Sequence, residues 1–395
     1  MMSQTSKHEL LRAVRPRYTL GNRTAKRQIL DEFVAATGYH RKYAIHLLNH
    51  PPKRRAVTRR PRRAKYGGRV RAALEKVWRV AHCICGKRLV AVLPQYVEAL
   101  ERHGELDLDA ETRLLLLTLS AATADRLLAR ARAETKPHGL TTTKPGTLLK
   151  AAIPIRTFAQ WDDAQPGFME VDLVAHCGVT TAGEYLNSLD MLDVKTRWVE
   201  LAALRNRSQA TVTAAIRDCQ MRLPYPLRGL DSDNGAEFIN YDLKHFCEQE
   251  HITFTRCRPY KKNDQAYVEQ KNWTAVRQVV GYERYECERA RAQLQALYQP
   301  LRLYLNFFQP VMVLVEKQRM GAKVIKRYDV PKTPYQRVLE APEIDADIKA
   351  RLRQLYETLN PAELLRQIHR RQAALWQLAC PPLIPGGTQV PPALP

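Results

Sequence analysis

Residues 231–238 read Asp-Ser-Asp-Asn-Gly-Ala-Glu-Phe and directly follow an apolar segment at residues 226–230. An apolar run that ends in carboxylates and then in an Asn-Gly turn predicts a strand that presents an acidic side chain at a sheet edge. Asp172, within the short apolar segment 168–174, and Glu269, further along the chain, complete a set with Asp233. Three carboxylates on two strands and a helix are the ligands that a pair of divalent metal ions requires for phosphoryl transfer.

The charge of the chain indicates a polyanionic partner. The formal net charge is +23, and much of the excess lies in residues 1–69. Such a bias favours nucleic acid, with an anionic membrane surface as the alternative. No apolar run approaches the ~20 residues of a membrane span, and no signal-peptide segment is present. The 8 cysteines are scattered along the chain. We therefore expect a cytoplasmic protein with reduced thiols and no membrane partner.

The first domain, residues 1–66, has the pattern of a helix-turn-helix. Residues 24–36 predict a helix, Gly38 breaks it, and residues 40–49 predict a second helix that Pro51-Pro52 ends. A basic second helix after a Gly-containing turn is typical of DNA reading, although a purely structural hairpin has a similar pattern. The second helix is predicted to bury Ala44, Ile45 and Leu48 and to offer four residues to DNA: His40, Arg41, Lys42 and His46.

A basic arm closes this domain. Residues 53–65 combine many like charges with little apolar surface, so they are not expected to pack. Charge runs are usually solvated, but an arm between two helical modules favours contact with phosphates or a minor groove. The arm residues predicted to bind DNA are Arg54, Arg55, Arg59, Arg60, Arg62 and Arg63.

A second helical DNA-binding domain is predicted at residues 67–134. Its last hairpin comprises helices at 109–119 and 121–132, with Ser120 as the N-cap and Arg126 on the exposed side. A zinc site formed by His46, His50, Cys83 and Cys85 is a weaker possibility. The Cys-x-Cys spacing is shorter than the usual spacing in zinc sites, which favours surface histidines and core thiols.

Residues 135–154 have the Pro, Gly and Thr composition of a linker, and the pattern after them changes from helical to strand-rich. Strands are predicted at 168–176, 185–190, 198–204, up to Asp233, and at 252–255. Helices at 208–223, 240–250 and 264–280 alternate with the later strands. This order predicts an α/β domain at 155–290 with a mixed five-stranded sheet and helices on its faces.

The acidic stretch, the segment 258–263 before Glu269 and the order of strands together resemble the integrase catalytic core. That superfamily includes retroviral integrases and bacterial insertion-sequence DDE transposases, and it implies an RNase H-like fold. Residues 29–43 are similar to the helix-turn-helix of one such transposase group. The resemblance implies that Asp172, Asp233 and Glu269 are catalytic and bind two Mg²⁺ (or Mn²⁺) ions. One position departs from the pattern, because Asp264 replaces the glycine that many relatives carry.

Other side chains near these three are alternative candidates for the catalytic positions or have other predicted roles. Asp231 competes with Asp233, and Glu170 with Asp172, because residues two apart in a strand share a face. Asp190 and Asp193 are predicted to be structural or turn residues. Trp273 is predicted to lie in the core. Four basic residues near the predicted site are candidates for DNA phosphates: Lys261, Lys262, Lys271 and Arg277.

The resemblance implies a DNA transposase that binds the terminal inverted repeats of its element, cuts 3′ ends and joins them to target DNA as a homo-oligomer. A DNA-binding regulator with a silent core and a structure-specific nuclease are the alternatives. The C-terminal region, residues 291–380, is predicted to contain a basic hairpin and a helix at 343–379 that contacts either another subunit or its own chain. Residues 381–395 are predicted to be a disordered tail.

Overall fold

The computed structural model describes residues 2–50, 65–135, 165–232, 237–238, 241–256, 268, 271–321 and 323–380. The chain forms two compact units, Met1–Lys65 and Tyr66–Pro395. Most of the basic arm, the linker and the tail lie outside the described residues. So do these predicted site residues: Arg54, Arg55, Arg59, Arg60, Arg62, Arg63, Asp233, Lys261, Lys262 and Glu269.

The first unit contains helices α1 (Gln4–Leu20), α2 (Arg23–Thr37) and α3 (Arg41–Asn49) around a core that includes Phe33 and Leu48. Gly38 ends α2 in the left-handed conformation, with φ of 69°, as the turn prediction required. Ile45 is exposed, and its predicted burial is wrong because Ala44 and Leu48 form the inner face of α3.

The second unit begins with five helices. They are α4 (Gly68–Val80), α5 (Gly86–Arg102), α6 (Ala110–Leu117), α7 (Ala121–Leu127) and α8 (Ala129–Thr135). The Ser120 hydroxyl accepts a hydrogen bond from the Thr123 backbone N–H, which confirms the predicted N-cap of α7. The predicted continuous helix at 121–132 is divided at Leu128.

A five-stranded mixed sheet follows. Its strands are β1 (Phe168–Ala175), β2 (Asn187–Asp193), β3 (Val199–Leu204), β4 (Gly229–Ser232) and β5 (Thr253–Arg256), in the order β3-β2-β1-β4-β5. The strands β1, β2 and β3 pair antiparallel, whereas β4 and β5 run parallel to β1. Helix α9 (Gln209–Arg222) connects β3 to β4, and α10 (Tyr241–Gln249) lies between β4 and β5. This topology confirms the predicted α/β core.

The remaining elements begin with α11, which is π-helical over Asn272–Arg277 and α-helical over Gln278–Val280. Then come α12 (Glu288–Phe308), the hairpin β6 (Leu314–Met320) and β7 (Lys323–Tyr328), α13 (Pro334–Glu340), α14 (Ala346–Thr358) and α15 (Pro361–Trp376). The predicted single helix at 343–379 is two helices. Asn360 caps α15 through the backbone N–H of Ala362, and Pro361 cannot continue α14.

Two hydrophobic cores lie on opposite faces of the sheet. One packs Met169, Val171 and Leu230 against α9 and α10. The other includes residues of α4–α8, the sheet and α12–α15, such as Trp78, Tyr298 and Phe307. The Asn306 side chain of α12 exchanges two hydrogen bonds of 2.8 Å with the backbone of Val199 in β3. The helices on this second side are therefore part of the same packed unit as the sheet. Among the described residues, no helix is long and apolar enough to cross a membrane.

Candidate active site

The central strand β1 separates apolar from acidic side chains. Met169 and Val171 are buried in the core with α9 and α10, whereas Glu170 and Asp172 alternate with them. Successive side chains of a strand project to opposite faces, so both carboxylates lie on the face away from those two helices. The two candidates for the first position therefore share one face, as expected from their spacing.

The strand register brings two further carboxylates to this face. Asp190 of β2 lies directly opposite Asp172, and Asp231 of β4 lies directly opposite Glu170. Directly opposed residues share a face of the sheet. The Asp231 carboxylate accepts a hydrogen bond of 2.7 Å from the hydroxyl of Thr255. Four carboxylates thus lie on one face of three neighbouring strands, which we call the acidic face: Glu170, Asp172, Asp190 and Asp231.

The segment around Glu269 is fixed to the acidic face by two hydrogen bonds. The backbone N–H of Val268 donates to Glu170 Oε2 at 2.9 Å, and the amide of Asn272 donates to Asp172 Oδ2 at 2.5 Å. Val268 immediately precedes Glu269 in the sequence, and Asn272 follows it by less than one helical turn. Residues on both sides of Glu269 therefore contact the strand that carries Asp172.

The end of β4 lies beside the same part of β1. Ser232, the last residue of β4, is the register partner of Val171, and Asp233 is the next residue in the sequence. Asp233 and Glu269 themselves lie outside the described residues, so their assignment as site residues stays a prediction.

Burial dominates the electrostatics of the acidic face. Burial raises the pKa of Glu170 to about 8, and the hydrogen bond from Val268 opposes this rise. Burial also raises the pKa of Asp190, while the neighbouring Lys271 lowers it and Asp172 raises it further. Both carboxylate oxygens of Asp190 are buried and make no hydrogen bond within the described part of the chain. In the absence of a compensating positive charge, burial thus favours the neutral, protonated form of these two carboxyl groups.

The donors on this face fit a hard divalent cation. They are carboxylate oxygens, which Mg²⁺ and Mn²⁺ prefer over the nitrogen and sulfur ligands of zinc. The two carboxylate oxygens of buried Asp190 accept no hydrogen bond from the described residues, and Asp190 lies opposite Asp172. These unsatisfied acceptors also favour a bound cation at this position. Among the described residues, no three His, Cys, Asp or Glu side chains are grouped closely enough to hold a metal.

Lys271 and Arg277, two of the candidates for DNA phosphates, both lie against the sheet, and their contact with DNA stays a prediction. Lys271 is buried, and its ammonium group lies in the field of Asp190. Arg277 is half-buried and donates to the Ala175 carbonyl at 2.9 Å, while its guanidinium lies 4.8 Å from the Tyr282 ring centroid. Both cations therefore support α11 against the sheet. Trp273 is 50% exposed, so its predicted place in the core is wrong.

The DNA-binding candidates of α3 are exposed at its surface. His40, Arg41, Lys42 and His46 are all exposed, and Arg41 forms an ion pair with Asp31 of α2. The His46 and His50 rings lie 4.9 Å apart. In the second unit Cys83 and Cys85 are exposed free thiols, so the expectation that they are core thiols is wrong. Arg126 is also exposed, and its guanidinium donates to the Thr123 hydroxyl and the Ala122 carbonyl.

Sequence reasoning missed Asn272. Asn272 lies three residues after Glu269, so helical periodicity places both near one face of a helix, and this spacing is the signal that identifies it. Asp190 lies within β2 opposite Asp172 and not in a turn, and its predicted structural role stays a prediction. Asp193 does organise the turn after β2, because it accepts hydrogen bonds from the backbone of Gly167, Lys195 and Thr196.

Comparisons with known proteins agree with this architecture. The model of the integrase core domain family matches residues 162–262. The chain is 42% identical over 336 residues to the uncharacterized protein y4rM of Sinorhizobium fredii (strain NGR234), covering 85% of this chain and 96% of that protein. The catalytic core of BIV integrase aligns with a TM-score of 0.28 at 18% identity, over 44% of this chain and 94% of that one. The magnesium complex of the dimeric HTLV-2 integrase core has a TM-score of 0.27 at 15% identity, over 38% and 92%.

The family match and the strand order define the class of this protein. Residues 162–262 form an integrase core domain, built on the mixed five-stranded sheet described above. The chain as a whole belongs to the same family as y4rM, which it matches over nearly the whole length of that relative.

Proposed function

We propose that this protein is a DNA transposase that cuts the 3′ ends of its own element and joins them to target DNA. One observation carries the proposal. The hydrogen bonds Val268–Glu170 and Asn272–Asp172 attach both sides of the Glu269 segment to the strand that carries Asp172. The match of residues 162–262 to the integrase core domain family supports this function.

Asp172, Asp233 and Glu269 are the residues that would hold two Mg²⁺ or Mn²⁺ ions. Bound ions of this kind activate a water or hydroxyl nucleophile and stabilise the leaving oxygen of an in-line displacement. Asn272 and the Leu173 backbone N–H orient the Asp172 carboxylate by donating to Oδ2 and Oδ1 respectively. Such hydrogen bonds hold a ligand in one rotamer, which is the usual role of groups that surround metal ligands.

Two successive reactions follow at one site. In the first, water attacks a phosphodiester at the element end, and the P–O bond to the 3′ oxygen breaks to release a 3′-OH. In the second, that 3′-OH attacks a target phosphodiester, so a new P–O bond forms as the old one breaks. Neither reaction uses a tyrosine or serine nucleophile of the protein, and no covalent protein–DNA intermediate forms.

The DNA partners are the terminal inverted repeats and the target. We assign reading of the repeats to α3, through His40, Arg41, Lys42 and His46, because these side chains are exposed on the second helix of a helix-turn-helix pattern. The basic arm and Arg126 add phosphate contacts. Two element ends are cut together, so we propose a homo-oligomer that works on DNA in the cytoplasm of a bacterium.

A joining assay tests this function. The full chain is mixed with Mg²⁺, a labelled duplex from the inverted repeats beside its gene, and a supercoiled plasmid. Wild type is expected to join the label to the plasmid, and Asp233→Asn and Glu269→Gln are each expected to lose at least ~100-fold. Glu248→Gln, an exposed acidic residue on α10, serves as the matched control and keeps wild-type joining.

The outcomes separate the alternatives. Cleavage without joining would indicate a nuclease, and repeat binding without cleavage would indicate a regulator with a silent core. Equal joining by wild type and both site variants would refute the assignment of Asp233 and Glu269.

A further inference from the structure

A large cavity lies beside the acidic face in the second unit. Its volume is about 520 Å³, and its walls come from the start of α5, β2, α11, α12, the base of the β6–β7 hairpin and α15. Most of the wall is apolar, with Ile84, Leu301 and Leu365 among its residues. Ligand pockets for small molecules have volumes of ~300–1,000 Å³, so this cavity has the size for one organic molecule.

The titratable side chains that give the cavity wall its charge are basic: two arginines and one lysine, with two histidines beside them. Arg88, Arg197 and Lys271 line it, and no carboxylate is among the described residues of its wall. These three cations are brought together by the fold, because all three side chains line this one cavity. Asp190 is the acidic group that acts on Lys271 from β2. Two carboxylates face these three cations, Asp190 beside Lys271 and Glu170 in the field of Arg197, which leaves an excess of one positive charge.

Arg88 is the cation with the greatest capacity to bind a ligand. It is half-buried, and its guanidinium makes no hydrogen bond or ion pair with any residue that the structure describes. A guanidinium has five N–H donors in a planar arrangement that matches phosphate oxygens. A partly desolvated guanidinium beside two more cations favours an anion as its partner.

We propose that this cavity binds a nucleotide, with its phosphate on Arg88 and Lys271 and its base against the apolar wall. Inorganic phosphate would occupy only the basic end and leave the apolar wall without a partner. An uncharged nucleoside would leave the basic end without an anion. The nucleotide comes either from solution or from an unpaired end of a DNA strand. Binding requires neither metal nor cleavage, so the proposal stands apart from the proposed function.

The test is calorimetric titration of the full chain in EDTA with 2′-deoxyadenosine 5′-monophosphate. Wild type is expected to bind it, with weaker binding of deoxyadenosine and of inorganic phosphate. Arg88→Ala is expected to weaken nucleotide binding by about 10- to 100-fold, since it removes hydrogen bonds to a charged group. Lys87→Ala is the matched control, because Lys87 is adjacent and exposed and does not line the cavity.

A second variant tests the apolar end. Met312→Trp adds bulk at the cavity wall and is expected to weaken nucleotide binding while leaving inorganic phosphate binding unchanged. Competition by a duplex with one unpaired 5′ nucleotide, but not by a blunt duplex, would identify DNA as the source. Competition by neither duplex would identify the free nucleotide. The proposal is overturned if wild type does not bind the nucleotide, or if Arg88→Ala and Lys87→Ala bind it equally.

Discussion

The two faces of one sheet have opposite tasks. Met169 and Val171 of β1 pack with Leu189 and Met191 of β2 in an apolar core under α9 and α10. On the other face the same two strands carry Glu170, Asp172 and Asp190. Alternation along β1 thus separates the apolar residues packed under α9 and α10 from the carboxylates, which lie on the other face beside the second core. Substitutions on the apolar face should chiefly lower the free energy of unfolding and have little effect on DNA joining. Substitutions on the acidic face should chiefly lower DNA joining.

The largest expected effect is on the acidic face. Asp172→Asn keeps the size of the side chain but removes the charge that would bind metal, so we expect a loss of joining of at least ~1,000-fold. The amide keeps one acceptor oxygen where the carboxylate has two, so one of the hydrogen bonds from Leu173 and Asn272 is lost, and the free energy of unfolding without metal should fall by only about 1–2 kcal/mol. A variant that joined DNA normally would show that Asp172 is not a metal ligand.

The next effect is on the apolar face. Met191 is fully buried in the core under α9, so Met191→Ala should cost about 2–5 kcal/mol of unfolding free energy. Urea unfolding measures this cost. Joining per folded molecule should stay within about twofold at a temperature where the variant is folded. Loss of joining without loss of stability would contradict the division between the two faces.

A smaller effect on joining is expected at Asn272, which donates a hydrogen bond to Asp172 of the acidic face but lies in α11 and not in the sheet. Asn272→Ala removes the hydrogen bond to Asp172 Oδ2 and should lower joining by about 10- to 100-fold. Because the residue positions a ligand, more Mg²⁺ should restore part of the rate. A Mg²⁺ titration of the joining rate checks this, and Asn272→Gln provides the conservative comparison. A loss that no Mg²⁺ concentration relieves would indicate another role.

The last predicted effect concerns the pH dependence of stability. The pKa of Glu170 is raised from 4.5 to about 8 by burial, so between those values the folded state holds a proton that the unfolded state has released. Stability from this residue is present below pH 4.5 and is lost as pH rises towards 8, by at most about 1.4 kcal/mol per pH unit. Glu170→Gln should remove this loss. Urea unfolding in EDTA at several pH values tests it, and identical slopes for both proteins would argue against a protonated Glu170.

The sequence predicted the strands of the core well, because alternation and turn residues are local signals. The segments that contain Asp172 and lead to Asp233 were placed correctly as strands, and Ser208 caps α9 as expected. Helix α1 was missed, because Pro16 and a high proportion of charged residues conceal its apolar stripe.

Contacts between segments far apart in the sequence could not be predicted from local sequence patterns. The pairing of Asp190 with Asp172 depends on the length of the turn between β1 and β2, which periodicity does not reveal. The burial of Lys271 depends on α12 and α15, whose packing on the sheet involves residues far away in sequence. A lysine two positions after the predicted glutamate therefore suggested a surface contact, whereas tertiary packing places it inside.

A change of metal specificity tests the central claim most directly. Asp172→Cys replaces a hard oxygen ligand with a softer sulfur ligand, which suits Mg²⁺ poorly and Mn²⁺ better. If Asp172 binds the catalytic metal, the variant should be inactive in DNA joining with Mg²⁺ and should regain activity with Mn²⁺. Joining at the wild-type rate with Mg²⁺ would contradict the account.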